Sequence, residues 1–197
     1  MTEIFIHPTS LVETRRIGQG TQIWAFTHIL KGACIGADCL IGDHCLIESG
    51  VTIADHVTIK HGNKIWAGVT LDNGAFVGPG SFLIHPVHAQ TYQAVAPLGF
   101  GGRQWLVTTH IQEGAMLGAG AIILAGTRVG QFARIGDRAV VTKNVPAYAL
   151  VRGDPAHIVG WVCQCGHPLR FQRHYAHCDH CQLNYVKDKT EIRPATF

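Results

Sequence analysis

Residues 17–59 read "IGQGTQIWAFTHILKGACIGADCLIGDHCLIESGVTIADHVTI", and every sixth residue of the stretch, from Ile17 to Ile59, is isoleucine. The beat runs on through Ile65, Leu71, Val77 and Leu83, so twelve consecutive sixth positions are aliphatic. With roughly one aliphatic residue in four positions of an ordinary chain, chance does not produce such a run. The residue four places after each is small or modest: Thr21, Thr27, Ala33, Cys39, Cys45, Val51, Val57, Asn63, Val69, Ala75 and Ser81. Glycine often follows the aliphatic residue directly, as at Gly18, Gly36, Gly42 and Gly78. The same pattern returns in a new phase at Ile111, Leu117, Ile123, Val129, Ile135 and Val141.

A period of six does not fit the 3.6 of a helix, and the glycine content argues against one as well. Six residues instead make a short flat strand and a turn. Three such units close a triangular coil, with the aliphatic residue and its small partner both pointing inward. Stacked coils then bury one continuous core while each touches only its neighbours. Burial of each large aliphatic side chain contributes about 1.5–3 kcal/mol, enough in sum to hold a solenoid together. The expected fold is therefore all-β, a parallel solenoid of six-residue units.

Residues 84–105 are the one long break in the beat. In a solenoid, insertions fall on loops outside the coils, where sites tend to be built. This one opens with "HPVH" at 85–88 and closes with "PLGFGGRQW" at 97–105. His85 and His88 are both candidate catalytic groups, because an imidazole with an unperturbed pKa near 6.5 suits general-base work. His88, Arg103 and Trp105 are candidates for contacting a substrate. His28, His44, His56, His61 and His110 fall at non-aliphatic positions of the repeat and are expected to face solvent or a neighbouring subunit. Trp24 and Trp66 follow inward residues, so their rings are expected to project outward, to pack at a subunit seam or, as the alternative, to stack on a sugar or base.

The chain has 197 residues, 47% hydrophobic and 15% charged, which describes a globular protein. Its net charge of +3 comes without a Lys/Arg run, which gives no reason to expect nucleic acid as a partner. The start "MTEIFIHPTS" lacks the basic and apolar regions of a secretory signal, and no apolar run nears the ~18 residues of a membrane helix. A cytoplasmic address without membrane attachment is the expectation. Four of the seven cysteines crowd into "CQCGHPLRFQRHYAHCDHC", residues 163–181. Cys163, Cys165, Cys178 and Cys181 form two close pairs joined by a short intervening stretch. That spacing fits a closed, structural four-cysteine Zn²⁺ site in a zinc-ribbon-like tail, with His167, His177 or His180 as possible substitute ligands. Unpaired thiols and an iron–sulfur centre are the alternatives. Two units follow: residues 1–162 as the solenoid and 163–197 as the tail.

The repeat resembles the hexapeptide-repeat acyltransferases over about residues 5–162, and the left hand of the expected β-helix comes from that resemblance alone. Three stretches look like the branch that acylates amino sugars on nucleotide carriers: "IGQGTQIWAFTHI" (17–29), "HCLIESGVTIADHVTIKHGNKIWAGVTL" (44–71) and "VVTKNVPAYALVRGDPAHIVGWV" (140–162). "HPVH" is similar instead to the stretch carrying the catalytic histidine of galactoside and maltose O-acetyltransferases, which places that role on His85. In the amino-sugar branch the matching residue is usually asparagine, so His85 is expected either to take a proton or only to orient the substrate. The resemblance implies a homotrimer with sites between subunits, using acetyl-CoA. It also implies that the backbones of Ala119 and Asp137 meet the pantetheine arm, and that Lys143 meets the nucleotide phosphates with Arg152 adding positive charge. The implied activity is N-acetylation of a nucleotide-linked deoxysugar in surface-polysaccharide biosynthesis. O-acetylation of a sugar hydroxyl is the alternative, and a non-catalytic scaffold subunit the reading from another class. No cysteine resembles an activated nucleophile, so transfer is expected to be direct.

Overall fold

The structure, a computed structural model, describes residues 3–84, 107–189 and 191–195. Among these residues every regular element is a strand, mostly very short and separated from the next by a turn. The strands stack into three parallel faces. The first runs from Phe5–Ile6 through Gln22–Ile23, Leu40–Ile41, Thr58–Ile59, Phe76–Val77, Met116–Leu117 and Arg134–Ile135 to Ala149–Arg152. The second runs from Leu11–Val12 to Val140–Val141, and the third from Cys34–Ile35 to Arg128–Val129.

Register makes the coil explicit. Ile23 lies beside Ile41 and Ile29 beside Ile47, so each partner is the third beat further along the chain. Three units therefore close one coil. Across the break in the beat, Val69 lies beside Thr109 and Phe76 beside Met116. Each of those steps is one coil plus the length of the segment 84–105, so the insertion leaves the stacking untouched. The coils tighten slightly at the two ends, where Ile6 lies beside Ile23 and Ile135 beside Val151.

Both inward positions behave as the pattern predicts. Ile23, Ile29, Ile41, Ile47, Ile59, Ile65, Leu71 and Val77 are fully buried, and so are the small partners Ala33, Val51, Val57 and Ala75. Polar residues at the small position reach a backbone group of the coil above. Thr21 Oγ1 donates to the Gly36 carbonyl at 2.8 Å and accepts the Cys39 N–H at 3.1 Å. Thr27 does the same with Gly42 and Cys45, and the Ser81 hydroxyl donates to carbonyls of Gly78 and Gly118. Satisfying these groups is what lets polar side chains sit in an apolar core.

A second beat accompanies the first. The residue three places after each inward aliphatic from Ile17 to Val77, and again from Ile111 to Ile135, has positive φ, including Gly20 (74°), Phe26 (56°), Gly32 (94°), Asp38 (53°), His44 (56°) and Gly50 (80°). Each is the left-handed residue that turns a corner of the coil.

The parallel stack ends at Ala149–Arg152. His157–Val162 reverses direction and pairs with it antiparallel, and Pro168–Leu169 then pairs with His157–Val162. Beyond lies a small antiparallel sheet of Tyr175–His177, Asn184–Asp188 and Glu191–Pro194. The tail's own core gathers Cys163, Leu169, Ala176, Cys178, Tyr185 and Ile192, and it includes Tyr148 from the last coil. Solenoid and tail therefore share side chains where they meet.

Candidate functional site

Three of the residues expected to meet acyl-CoA stack along one edge of the prism. Leu117, Ile135 and Val151 lie in register on the first face, and the chain turns after each, at Gly118–Ala119, Gly136–Asp137 and Arg152–Gly153. Gly136 faces Arg152: a Cβ there would come within 2.7 Å of the Arg152 Cγ. Asp137 Oδ1 accepts the Ala119 N–H at 2.8 Å, and the Ala119 carbonyl accepts the Arg138 N–H at 2.9 Å. The Ala119 amide is thus already engaged, which leaves one lone pair of its carbonyl for any ligand. The same device recurs at other corners, where Asp43 and Asp55 accept the N–H groups of Ala25 and Ala37. Asp137 is therefore first of all a corner residue.

Lys143 sits on a different edge. It follows Val140–Val141 on the second face, is exposed, and precedes Asn144, whose Oδ1 accepts the Arg128 N–H at 2.8 Å. Leu124 donates its N–H to the Val141 carbonyl, and Ile84 donates its own to the Ile123 carbonyl. The chain preceding the insertion thus reaches its last described residue, Ile84, on the edge that carries Lys143 two coils later. The two edges bound the second face, on which Phe82 leaves 48% of its surface exposed. His85, His88, Arg103 and Trp105 lie outside the described residues.

Several histidines pair with carboxylates on the outer surface. His110 Nε2 lies 2.8 Å from Asp72 Oδ2, with 38% and 36% of the side chains exposed. His28 pairs with Glu13 at 2.8 Å and His61 with Asp43 at 3.1 Å. The hydrogen bond from His28 holds the Glu13 carboxyl below its usual range. Burial raises the thiols of Cys39 and Cys45, so these inward cysteines are poor nucleophiles. Trp24 projects outward as expected and packs on Phe5 with ring centroids 5.5 Å apart, while Trp66 is half-buried.

The four tail cysteines converge. Their sulfurs all lie within 4.8 Å of one another, with Cys163 Sγ 3.2 Å from Cys181 Sγ and Cys165 Sγ 3.6 Å from Cys178 Sγ. For Cys178, burial acts to raise the thiol, but the backbone amides of Cys181 and His180 and the neighbouring thiols outweigh it and bring it to about 6. Sequence reasoning did not find the groups around this cluster. The Tyr185 hydroxyl is 3.0 Å from Cys163 Sγ, and the Tyr185 ring meets that of Tyr148 edge-on at 5.4 Å. A cleft of about 930 Å³ separates the tail from the last coils, with Arg128, Lys187 and Arg193 on its walls beside Asp188 and Glu191. The mixed charge gives that cleft little net pull on an anion.

Comparison with known proteins fits this architecture. A profile of the bacterial transferase hexapeptide (six repeats) family matches residues 16–49 and 38–73. The chain is 43% identical over 181 residues to dTDP-3-amino-3,6-dideoxy-alpha-D-galactopyranose 3-N-acetyltransferase of Aneurinibacillus thermoaerophilus, covering 92% of this chain and 90% of that one. It is 33% identical over 113 residues to serine acetyltransferase of Haemophilus influenzae, covering 57% of this chain and 42% of that one. Among solved structures, a mutant of GDP-perosamine N-acetyl transferase from Caulobacter crescentus in complex with CoA and GDP-perosamine aligns over 81% of this chain and 57% of that one, at 24% identity and a TM-score of 0.44. The repeat, its three-unit register and the relative matched over nine-tenths of the length agree: the chain belongs to the hexapeptide-repeat family of acetyl-CoA-dependent acyltransferases.

Proposed function

We propose that the protein transfers an acetyl group from acetyl-CoA to the amino group of a nucleotide-linked deoxysugar, in the cytoplasm, as a step of surface-polysaccharide biosynthesis. The observation that carries this reading is the 43% identity to a dTDP-amino-sugar N-acetyltransferase over 92% of the chain. In the proposed step the neutral amine attacks the thioester carbonyl. The new C–N bond forms as the C–S bond breaks, CoA leaves as its thiol, and the amine gives up one proton. His85 either takes that proton or orients the sugar, with His88, Arg103 and Trp105 as further acceptor contacts. Direct transfer accords with the raised thiols of Cys39 and Cys45, and with the burial of Cys178, the thiol that is drawn down, among the tail cysteines, since a covalent acyl-enzyme needs an accessible activated nucleophile.

The second face and its two edges are the proposed acyl-CoA surface. The free lone pair of the Ala119 carbonyl and the Asp137 backbone would meet the pantetheine arm, with Arg152 beside them and Lys143 on the opposite edge. Membership of the hexapeptide-repeat family supports a homotrimer, in which a second copy would supply the other wall of a site on this face. The exposed Phe82 on that face favours the same arrangement, because a neighbouring copy would cover it. Lys143→Ala is expected to raise KM for acetyl-CoA about tenfold, roughly 1.4 kcal/mol, with a smaller effect on kcat. An unchanged KM in steady-state kinetics would remove Lys143 from the site.

The reading is tested by incubating the purified chain with acetyl-CoA and a panel of nucleotide-linked amino sugars and their hydroxyl counterparts, following CoA release and product mass. Acetylation confined to amino acceptors is the expected result. Transfer to hydroxyl acceptors alone would establish O-acetylation, the reading favoured by "HPVH" at 85–88. Absence of acetyl-CoA binding by calorimetry would leave the solenoid as a scaffold.

A further inference from the structure

The tail poses a stability problem. Residues 163–195 bury few large side chains of their own, and Tyr148 of the last coil completes their core. A unit of that size rarely stands on its hydrophobic core alone and needs a staple. At its centre two short turns bring four thiols together. Cys163 accepts the Gly166 N–H on its carbonyl, and the Gln182 N–H bonds to the Cys178 carbonyl. Each turn thereby holds two sulfurs towards the other pair.

The spacing is that of a four-coordinate metal. Zinc binds thiolate sulfur at about 2.3 Å, so a regular tetrahedron puts its sulfurs roughly 3.8 Å apart. The observed 3.2 and 3.6 Å between the two turns, from Cys163 to Cys181 and from Cys165 to Cys178, and at most 4.8 Å across the set, bracket that value. Cys163 and Cys178 are buried, Cys181 is half-buried and Cys165 exposed, and the four sulfurs together would fill every position of a closed structural site. A second grouping, Cys165 with His167 and His180, shares one sulfur, but both histidines are exposed and their rings stack on each other at 4.0 Å.

The surroundings fit a centre that carries net negative charge, as one divalent cation with four thiolates does. The Tyr185 hydroxyl is placed to donate to Cys163 Sγ at 3.0 Å. The Arg134 guanidinium of the solenoid reaches the same turn, so close that a Cβ on Gly166 would lie 2.9 Å from its Nη2. Arg134 Nε is buried with no hydrogen-bond partner among the described residues. A half-buried cation beside the Cys165 turn, its Nε unsatisfied, answers the charge that a metal-bound cluster would bring.

We propose that Cys163, Cys165, Cys178 and Cys181 hold one structural zinc ion, and that Tyr185 and Arg134 tie this centre to the last coil of the solenoid. The metal completes the tail's core and locks it onto the end of the β-helix. It takes no part in acyl transfer, because four protein ligands leave no open position.

The test uses the full chain purified under reducing conditions, with metal measured by mass spectrometry and thiols titrated in the native and denatured states. The expected result is about one zinc per chain, released in step with the four tail thiols when a mercurial is added. Tyr185→Phe keeps the ring packing but removes the hydroxyl, and should weaken zinc affinity in a chelator competition by about 10–100-fold. His167→Ala with His180→Ala should leave the zinc content unchanged; loss of zinc there would overturn the four-cysteine set. Cobalt substitution of the wild-type chain should give the thiolate-to-cobalt charge-transfer bands of a tetrahedral sulfur site, a readout that does not depend on any variant folding. Metal-free protein with freely titrating thiols, a Cys163–Cys181 or Cys165–Cys178 disulfide, or iron in place of zinc would each overturn the proposal.

Discussion

His85→Ala is expected to lower kcat/KM on the true acceptor by about 10²–10⁴-fold, the range that a positioned proton acceptor supplies. The dependence on pH carries more information than the size of the loss. A base must be neutral to work, and an ordinary imidazole titrates near 6.5, so wild-type kcat/KM should fall about tenfold per pH unit well below that value. If His85 takes the proton, His85→Asn removes this acidic limb along with most of the activity. If His85 only holds the sugar, asparagine replaces its hydrogen bond, and both rate and profile stay near wild type. An acceptor amine loses its own proton as pH rises and can sustain the second case, whereas a hydroxyl cannot. An unchanged kcat/KM for His85→Ala would dismiss the residue from the mechanism altogether.

Gly78→Val is expected to damage the coils severely. A Cβ at Gly78 would lie 2.7 Å from the Gly118 carbonyl carbon and the Leu117 oxygen, and 2.8 Å from the Ala119 nitrogen. All three are backbone atoms of the next coil, so relief requires the coils to part at the edge proposed to receive the pantetheine arm. Overpacking a rigid contact costs about 3 kcal/mol at the upper end of the usual range. For a chain of this size that is a drop in Tm of roughly 6–12 °C by calorimetry. Gly80 provides the control. It has φ of 61° and nothing within 4 Å of its missing Cβ, so Gly80→Ala meets only the left-handed backbone penalty of about 1–2 kcal/mol. Equal losses for the two substitutions would mean that close stacking of coils is not what Gly78 serves.

The inward beat was legible because every sixth residue from Ile23 to Leu83 and from Ile111 to Val141 is buried, and because Thr21 or Ser81 can occupy a small position once a carbonyl above accepts their hydroxyls. The extent of the insertion was legible for the same reason, since the segment 84–105 is what the beat leaves over. The second beat was masked: glycine marks it at Gly20, Gly32 and Gly50, but Phe26, Asp38 and His44 take the same left-handed turn with other side chains. Pairings across the insertion were hidden as well. His110 and Asp72 stand far apart in sequence and 2.8 Å apart in space. The expected cation pair of Lys143 and Arg152 looks compact in sequence, yet the coil puts the two on different edges, because the short stretch between them carries the chain around a corner and onto the next face. For the cysteines, spacing gave the four sulfurs but not Tyr185 and Arg134, which reach the cluster from the strand just after Cys181 and from the solenoid.

The step that sets Thr109 directly beside Val69 has a consequence for how such a chain could change over generations. The rungs on either side meet as though the segment 84–105 were not there. A shorter, longer or wholly different segment could be exchanged at that point with the pairing of the rungs preserved. With the acceptor contacts assigned to that segment, as proposed above, the architecture and the choice of acceptor would be inherited separately, one in the coils and the other in a replaceable cassette.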